Sequence, residues 1–152
     1  MSEPHPPVFR RAVIALTGSP TDARIVRLTA ALAKTLKASV VAVHVVEIDW
    51  TLPLDADVAN NSEEAQQVLD MAEAAAESVG GTIEPVLLQA RDVGAAIVDE
   101  AIEREADLLI LGLGYRTRFG GDFALGRTIP YVLKNAPMTV WVVRDPISEE
   151  AS

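Results

Sequence analysis

The residues best suited to chemistry lie between Leu108 and Thr128, LLILGLGYRTRFGGDFALGRT. A short apolar run, Leu108 to Leu111, breaks into a loop holding Gly112, Gly114, Gly120, Gly121 and Gly126, with Arg116, Arg118 and Arg127 among them. An apolar run that ends in glycines before a helical stretch predicts a buried parallel strand feeding a loop and a helix N-terminus. Glycine lets a backbone approach a ligand closely, and the free N–H groups of a helix start attract anions. The chemistry expected is the holding of a phosphate rather than the breaking of a bond.

Composition narrows the choice of ligand. The chain has 152 residues, enough for one domain with a real core, and 49% of them are hydrophobic, too many for disorder. The net charge of −9 argues against a general nucleic-acid partner. The charge is uneven. No lysine or arginine occurs from Ala38 to Ala90, whereas from Arg116 to Arg144 the one acid, Asp122, faces Arg116, Arg118, Arg127, Lys134 and Arg144. A local positive patch on an acidic protein favours a small anion over a polyanion. Cysteine is absent, which excludes a disulfide framework and thiolate metal sites and favours the cytoplasm. No apolar run is long enough to insert in a membrane, and MSEPHPPVFRR lacks the apolar region of a secretory signal. Residues 1–9 are expected to be a loose tail, 10–145 a domain and 146–152 a second tail.

Five strands and four helices must position the loop. Ala12 to Leu16 is a short central strand. Ser19 is expected to cap the first helix, with Pro20 at its first position and Ile25, Leu28, Leu32 and Leu36 as its buried stripe. Ser39 to Val46 is nearly all apolar and so a strand buried on both faces. Asn61 with Glu64 predicts a capping box, followed by a stripe of Ala65, Val68, Leu69, Ala72, Ala76 and Val79. Thr82 to Gln89 is a third strand, and Pro85 puts it at an edge because proline cannot donate to a ladder. Asp92 opens a helix with Ile97, Val98, Ala101 and Ile102 inward. A last helix runs from Thr128 to Asn135, and Met138 to Val143 is the fifth strand. This alternation predicts a parallel sheet with helices on both faces, Rossmann-like, of order 3-2-1-4-5. The switch point then falls between strands one and four, at Leu16-Thr17 and Leu111-Gly112, beside the glycine loop.

With that order in place the chain resembles the universal stress protein family over about Arg10 to Arg144. The carriers are VIALTGSPTDA, VVAVHVVE, ADLLILGLG and ALGRTIPYVLKNAPMTVWVVR. The resemblance implies the adenine nucleotide alpha hydrolase-like fold, a homodimer through strand five, and a small phosphate-bearing ligand such as ATP, with magnesium as its companion. Nucleotide-binding members carry G-x2-G-x9-G-[S/T]. Here Gly112 and Gly126 match the outer glycines, Gly114 stands one place early, the loop has one extra residue, and Arg127 replaces the hydroxyl residue, with Thr128 next. Thr17 replaces the family's usual aspartate. The arginine would either strengthen anion binding or block the pocket. Carried over, the base rests on main chain near Leu16, Thr17, Val45, Leu111 and Gly112. Ribose and phosphates run along Gly114, Arg116, Arg118, Gly126, Arg127 and Thr128. The alternative is a dimeric interaction protein with a decayed site and a regulatory protein partner.

Other residues carry less. His44, mid-strand, is expected to be a satisfied core histidine, and two histidines in all, His5 being the other, cannot build a His-based metal cluster. Asp49, Asp55 and Asp57 read as a solvated acidic loop. Trp50 would lid the core or, less readily, cover a bound base. Val140, Trp141 and Val142 on an edge strand would be a pairing hazard that self-association covers. There is no P-loop and no acid–base or nucleophile constellation, so turnover is expected to be at most a slow ATPase. A flavodoxin-like electron carrier is a further alternative and would be yellow when purified.

Overall fold

A computed structural model describes residues 8–53, 62–116, 122–123 and 126–147. The elements are β1 (Arg11–Leu16), α1 (Thr21–Leu36), β2 (Ser39–Glu47), α2 (Glu63–Ser78), β3 (Glu84–Ala90), α3 (Val93–Glu103), β4 (Leu108–Leu113), the two-residue strands β5 (Tyr115–Arg116) and β6 (Asp122–Phe123), α4 (Thr128–Asn135) and β7 (Thr139–Arg144). Five strands form one sheet of order β3-β2-β1-β4-β7, all parallel, with Ile14 opposite both Ala42 and Ile110. Pro85 lies on the edge strand β3, as its missing N–H requires. β5 and β6 form a separate antiparallel ribbon inside the glycine loop.

The sheet has a core on each face. Phe9, Ile14, Ile25, Val26, Leu69, Leu108 and Ile110 lie on one side. Val13, Val43, Ile97, Val98, Leu109, Leu111 and Val132 lie on the other. Alternation along each strand sends successive side chains to opposite layers, which is why β1, β2 and β4 read as unbroken apolar runs.

The helix faces differ from the expected stripes in an instructive way. Leu28 and Leu32 of α1 are exposed, and its buried face is Ile25, Val26, Thr29, Ala30 and Ala33. Small residues win that face because the chain passes close by: a Cβ on Gly81, just after α2, would sit 2.9 Å from Ala30 Cβ. Ile102 of α3 is likewise exposed, while Ile97, Val98 and Ala101 are buried. Ser62, not Asn61, caps α2, its hydroxyl accepting from the Ala65 N–H at 3.1 Å; Asn61 lies outside the described residues. Asp92 caps α3, accepting from the Ala95 N–H. Phe9, assigned to the N-terminal tail above, is fully buried and meets the Trp141 ring edge-on at 6.2 Å. Trp141 is thereby half covered by its own chain, and of the three strand-edge residues only Val142 is exposed, at 38%.

Candidate functional site

The two strand-to-helix turns that were expected to receive a ligand are built in opposite ways. After β1 the turn is closed from within. Asp22, on the first turn of α1 and only 6% exposed, accepts hydrogen bonds from the Thr17 N–H (3.0 and 3.2 Å), the Gly18 N–H (2.7 Å) and the Thr17 hydroxyl (3.1 Å). Ser19 is therefore not the side-chain cap. The helix starts after Pro20 with no side-chain cap bond, and the Ser19 hydroxyl pairs with Thr17 Oγ1 at 2.9 Å. The amides that an anion would need here already bind a carboxylate.

The same closure extends to β4. A Cβ on Gly112 would lie 2.6 Å from Ile25 Cδ1 and 3.2 Å from Thr21 Cγ2, and one on Gly114 would lie 3.3 Å from Thr21 Oγ1. Thr21 in turn donates to Asp145 Oδ2 at 2.6 Å. These glycines admit α1 to the sheet. Leu16, Val45 and Leu111 are core residues with buried side chains. The Leu16 carbonyl is taken by His44 Nδ1 at 3.1 Å, so the ring carries the proton on that nitrogen. His44 is half-buried rather than a full core residue, and it lines a second hollow between β2 and α2.

After the glycine loop the turn is open. Gly126 takes a left-handed φ of +59°, which glycine adopts without strain, and no atom of the described residues lies within 4 Å of where its Cβ would be. Arg127 stands at the cap position of α4, and no side chain among the described residues caps that helix. An uncapped helix start presents orphan N–H groups and the positive end of the helix dipole; here the N–H groups are those of Thr128 and Ile129, since Pro130 has none and the Tyr131 N–H is bonded to the Arg127 carbonyl.

That start faces a crevice of about 560 Å³ between α3 and α4, lined by Glu47, Trp50, Arg91, Asp92, Val93, Gly94, Arg127, Thr128 and Tyr131. Of the residues assigned to a ligand from sequence whose side chains are described, only Arg127 and Thr128 line it. Arg127 is 95% exposed and approaches Glu47 at 3.7 Å, a weak pair in high dielectric. Arg116 lies on β5, and Arg118 falls outside the described residues, as do Asp55 and Asp57. A convergence of all three arginines is thus reduced to Arg127 among the described side chains.

Trp50 does not lid the core: it is 77% exposed at the rim. The Arg91 guanidinium stacks over its ring at 5.1 Å and donates to the Leu52 carbonyl at 2.6 Å, while Arg91 Nε is buried with no hydrogen-bond partner among the described residues. The Thr51 N–H, bonded to Asp49, holds that carboxyl below its usual value of 3.8. No group of three metal-ligating side chains occurs among the described residues.

The sequence reading missed Arg91, Asp92, Gly94 and Tyr131. The available signal was the Arg91-Asp92 pair at the carboxyl end of strand three, next to the end of strand two in the expected order. Attention to the switch point alone passed it by.

Comparison with known proteins fits this geometry. The model of the universal stress protein family matches residues 9–144. The chain belongs to that family. A universal stress protein from Archaeoglobus fulgidus shares the fold with a TM-score of 0.72 and 24% identity, over 90% of this chain and 99% of that one. Another structure from that organism, in complex with dAMP, gives 0.67 and 24%, over 90% and 98%. A family protein from Arabidopsis thaliana with AMP bound gives 0.64 and 15%, over 94% and 97%. The chain is also similar to the sensor protein KdpD of Mycobacterium tuberculosis, 28% identical over 142 residues. That match takes in 93% of this chain but spans only 15% of KdpD's length.

Proposed function

We propose that this universal stress protein is a regulatory module that holds an adenine nucleotide, or a small ligand of the same phosphate-bearing kind, in the α3–α4 crevice without turning it over. The observation that carries this reading is the uncapped start of α4, with Arg127 and Thr128, opening into a space of about 560 Å³. That volume falls within the range of small-ligand pockets, roughly 300–1,000 Å³. Fold relatives whose structures contain dAMP and AMP support the choice of ligand class.

The phosphate sits at the first turn of α4, where helix dipole and guanidinium favour the same charge. Magnesium, if it accompanies a triphosphate, is held chiefly by the phosphates. Of the two crevice carboxylates, Asp92 is engaged by the Ala95 N–H, and Glu47 is released when Arg127 turns to the phosphate. No helix among the described residues is long and apolar enough to cross a membrane. A cytoplasmic place and a homodimer through the open edge of β7, where Val142 is exposed, complete the reading.

Calorimetric titration with AMP, dAMP, cyclic AMP and ATP tests it, with phosphate release from ATP followed in parallel. Binding of at least one nucleotide with no release above background is expected. No heat from any of them at millimolar ligand overturns the reading. It would favour a dimeric interaction protein acting through an unidentified regulatory partner. That second reading has its own support in the β1–α1 turn, whose amides are filled by Asp22.

A further inference from the structure

Trp50 is fixed in a place where it gains little from burial. Ile48, two residues earlier, is fully buried and donates its N–H to the Ala90 carbonyl at 2.9 Å, which anchors the chain as it leaves β2. Asp49 then closes a turn around the indole, its carboxylate accepting from the Thr51 N–H (2.9 Å) and its carbonyl from the Leu52 N–H (3.0 Å). From the β3–α3 junction Arg91 grips the same turn through the Leu52 carbonyl and lays its guanidinium over the ring. Four hydrogen bonds and a cation–π contact hold the segment, yet the ring stays 77% exposed. Tryptophan is usually well buried, and exposing its large apolar surface is unfavourable. A rigid aromatic plate at the mouth of a polar crevice is the feature that recognises a flat ring by stacking.

We infer that Trp50 is the base-recognition residue of the crevice. The purine of the ligand stacks on the indole face opposite Arg91, while the phosphate reaches the first turn of α4. Trp50, Arg127 and Thr128 all line that crevice. Arg91 is a positioning residue: it presents the plate by backing its other face. The inference rests on the nucleotide reading above.

The test compares AMP with ribose 5-phosphate, which keeps the phosphate and lacks the base, on the wild-type chain, Trp50→Ala and Trp50→Phe. Trp50→Ala is expected to weaken AMP roughly ten- to hundredfold, the range of an aromatic–base stack, and to leave ribose 5-phosphate within about twofold. Trp50→Phe restores AMP to within about fivefold, because a phenyl ring still stacks. AMP quenches the fluorescence of the wild-type chain, and the quench disappears in Trp50→Phe. If the wild-type chain binds AMP and Trp50→Ala binds it equally well, the stacking role is wrong and the nucleotide reading stands. Equal loss of both ligands in Trp50→Ala also overturns it, since the residue would then shape the loop rather than read the base. A wild-type chain that binds neither ligand removes both proposals.

Discussion

Arg127→Ala separates a phosphate-holding guanidinium from an obstructing one. A hydrogen bond to a charged group contributes about 1.5–3 kcal/mol. Arg127 belongs at the low end, because it is 95% exposed and water screens it. Reaching the phosphate also releases Glu47, and an exposed pair of that kind is worth about 0.2–1 kcal/mol. The expected net loss on AMP binding is therefore about 0.5–1.3 kcal/mol, a factor of roughly 2–9. Adenosine, without a phosphate, should bind the variant and the parent within about twofold, since no charged contact is lost. Glu47→Gln works in the opposite sense: it frees the guanidinium and removes a negative charge beside the phosphate, so AMP tightens by about two- to fivefold. Both effects should shrink as salt shortens the screening length from about 10 Å at 0.1 M to about 3 Å at 1 M. Calorimetry of AMP and adenosine at two salt concentrations reads all of this. Thermal stability of Arg127→Ala should stay within about 0.5 kcal/mol of the parent, as for other exposed charges. An unchanged AMP affinity refutes the assignment. A tighter one means that the arginine blocks the crevice. Equal loss of AMP and adenosine means that the substitution acts on the base or on the fold.

Further outcomes follow from neighbouring residues. Asp22→Ala strips the acceptor from the Thr17 and Gly18 amides and should destabilise by about 2–3 kcal/mol, lowering Tm by roughly 4–12 °C; a melting temperature unchanged by the substitution would contradict the closed turn. Gly94→Ala places a Cβ 3.0 Å from the Tyr131 ring; overpacking of about 1–3 kcal/mol, offset by about 1 kcal/mol of helix propensity, leaves a net loss near 1 kcal/mol in denaturant unfolding. Val142→Lys puts a charge on the open edge of β7 and should yield a monomer by light scattering, with folding stability within about 0.5 kcal/mol. The Asp49 carboxyl is held below 3.8, so its hold on the Trp50 turn is fully present above that pH and is lost as pH falls through the lowered value; the Trp50 fluorescence should stay constant from neutral pH down to about 4, and a change near pH 6 would assign the hold to another group.

Strand order was legible because it rests on a few strong local facts. Proline at position 85 cannot sit in a sheet centre, and the apolar runs of β1, β2 and β4 demand burial on both faces. The start of α4 was legible for a similar reason, since Gly126 and the Asn135-Ala136-Pro137 stop bracket it. The faces of α1 and α3 were not. Leu28, Leu32 and Ile102 are the larger apolar residues, and size was taken as the sign of burial. What selects the buried face of α1 is how near its neighbours come, and Ala30, Ala33 and Thr29 fit a close approach where leucine would not. The crevice was only half legible. Arg127 and Thr128 lie in the glycine segment, but Trp50 and Arg91 come from two other connections, separated by 40 residues of chain, and only the pairing of β2 with β3 brings them together.

The glycine-rich segment therefore holds two kinds of glycine that a motif cannot tell apart. Gly112 and Gly114 face α1 and are small so that Thr21 and Ile25 can pack against the strand. Gly126 faces open space and is there for its left-handed turn into α4. The same division runs through the polar chemistry. Both turns offer backbone N–H groups at the carboxyl edge of the sheet, and both favour a negative group. At β1–α1 the chain supplies that group itself, in the Asp22 carboxylate. At the start of α4 no side chain among the described residues supplies it. One turn is filled from within, and the other is left without a side-chain partner among the described residues beside a crevice with an exposed aromatic at its rim, and that contrast is the ground on which the open turn is proposed as the phosphate seat.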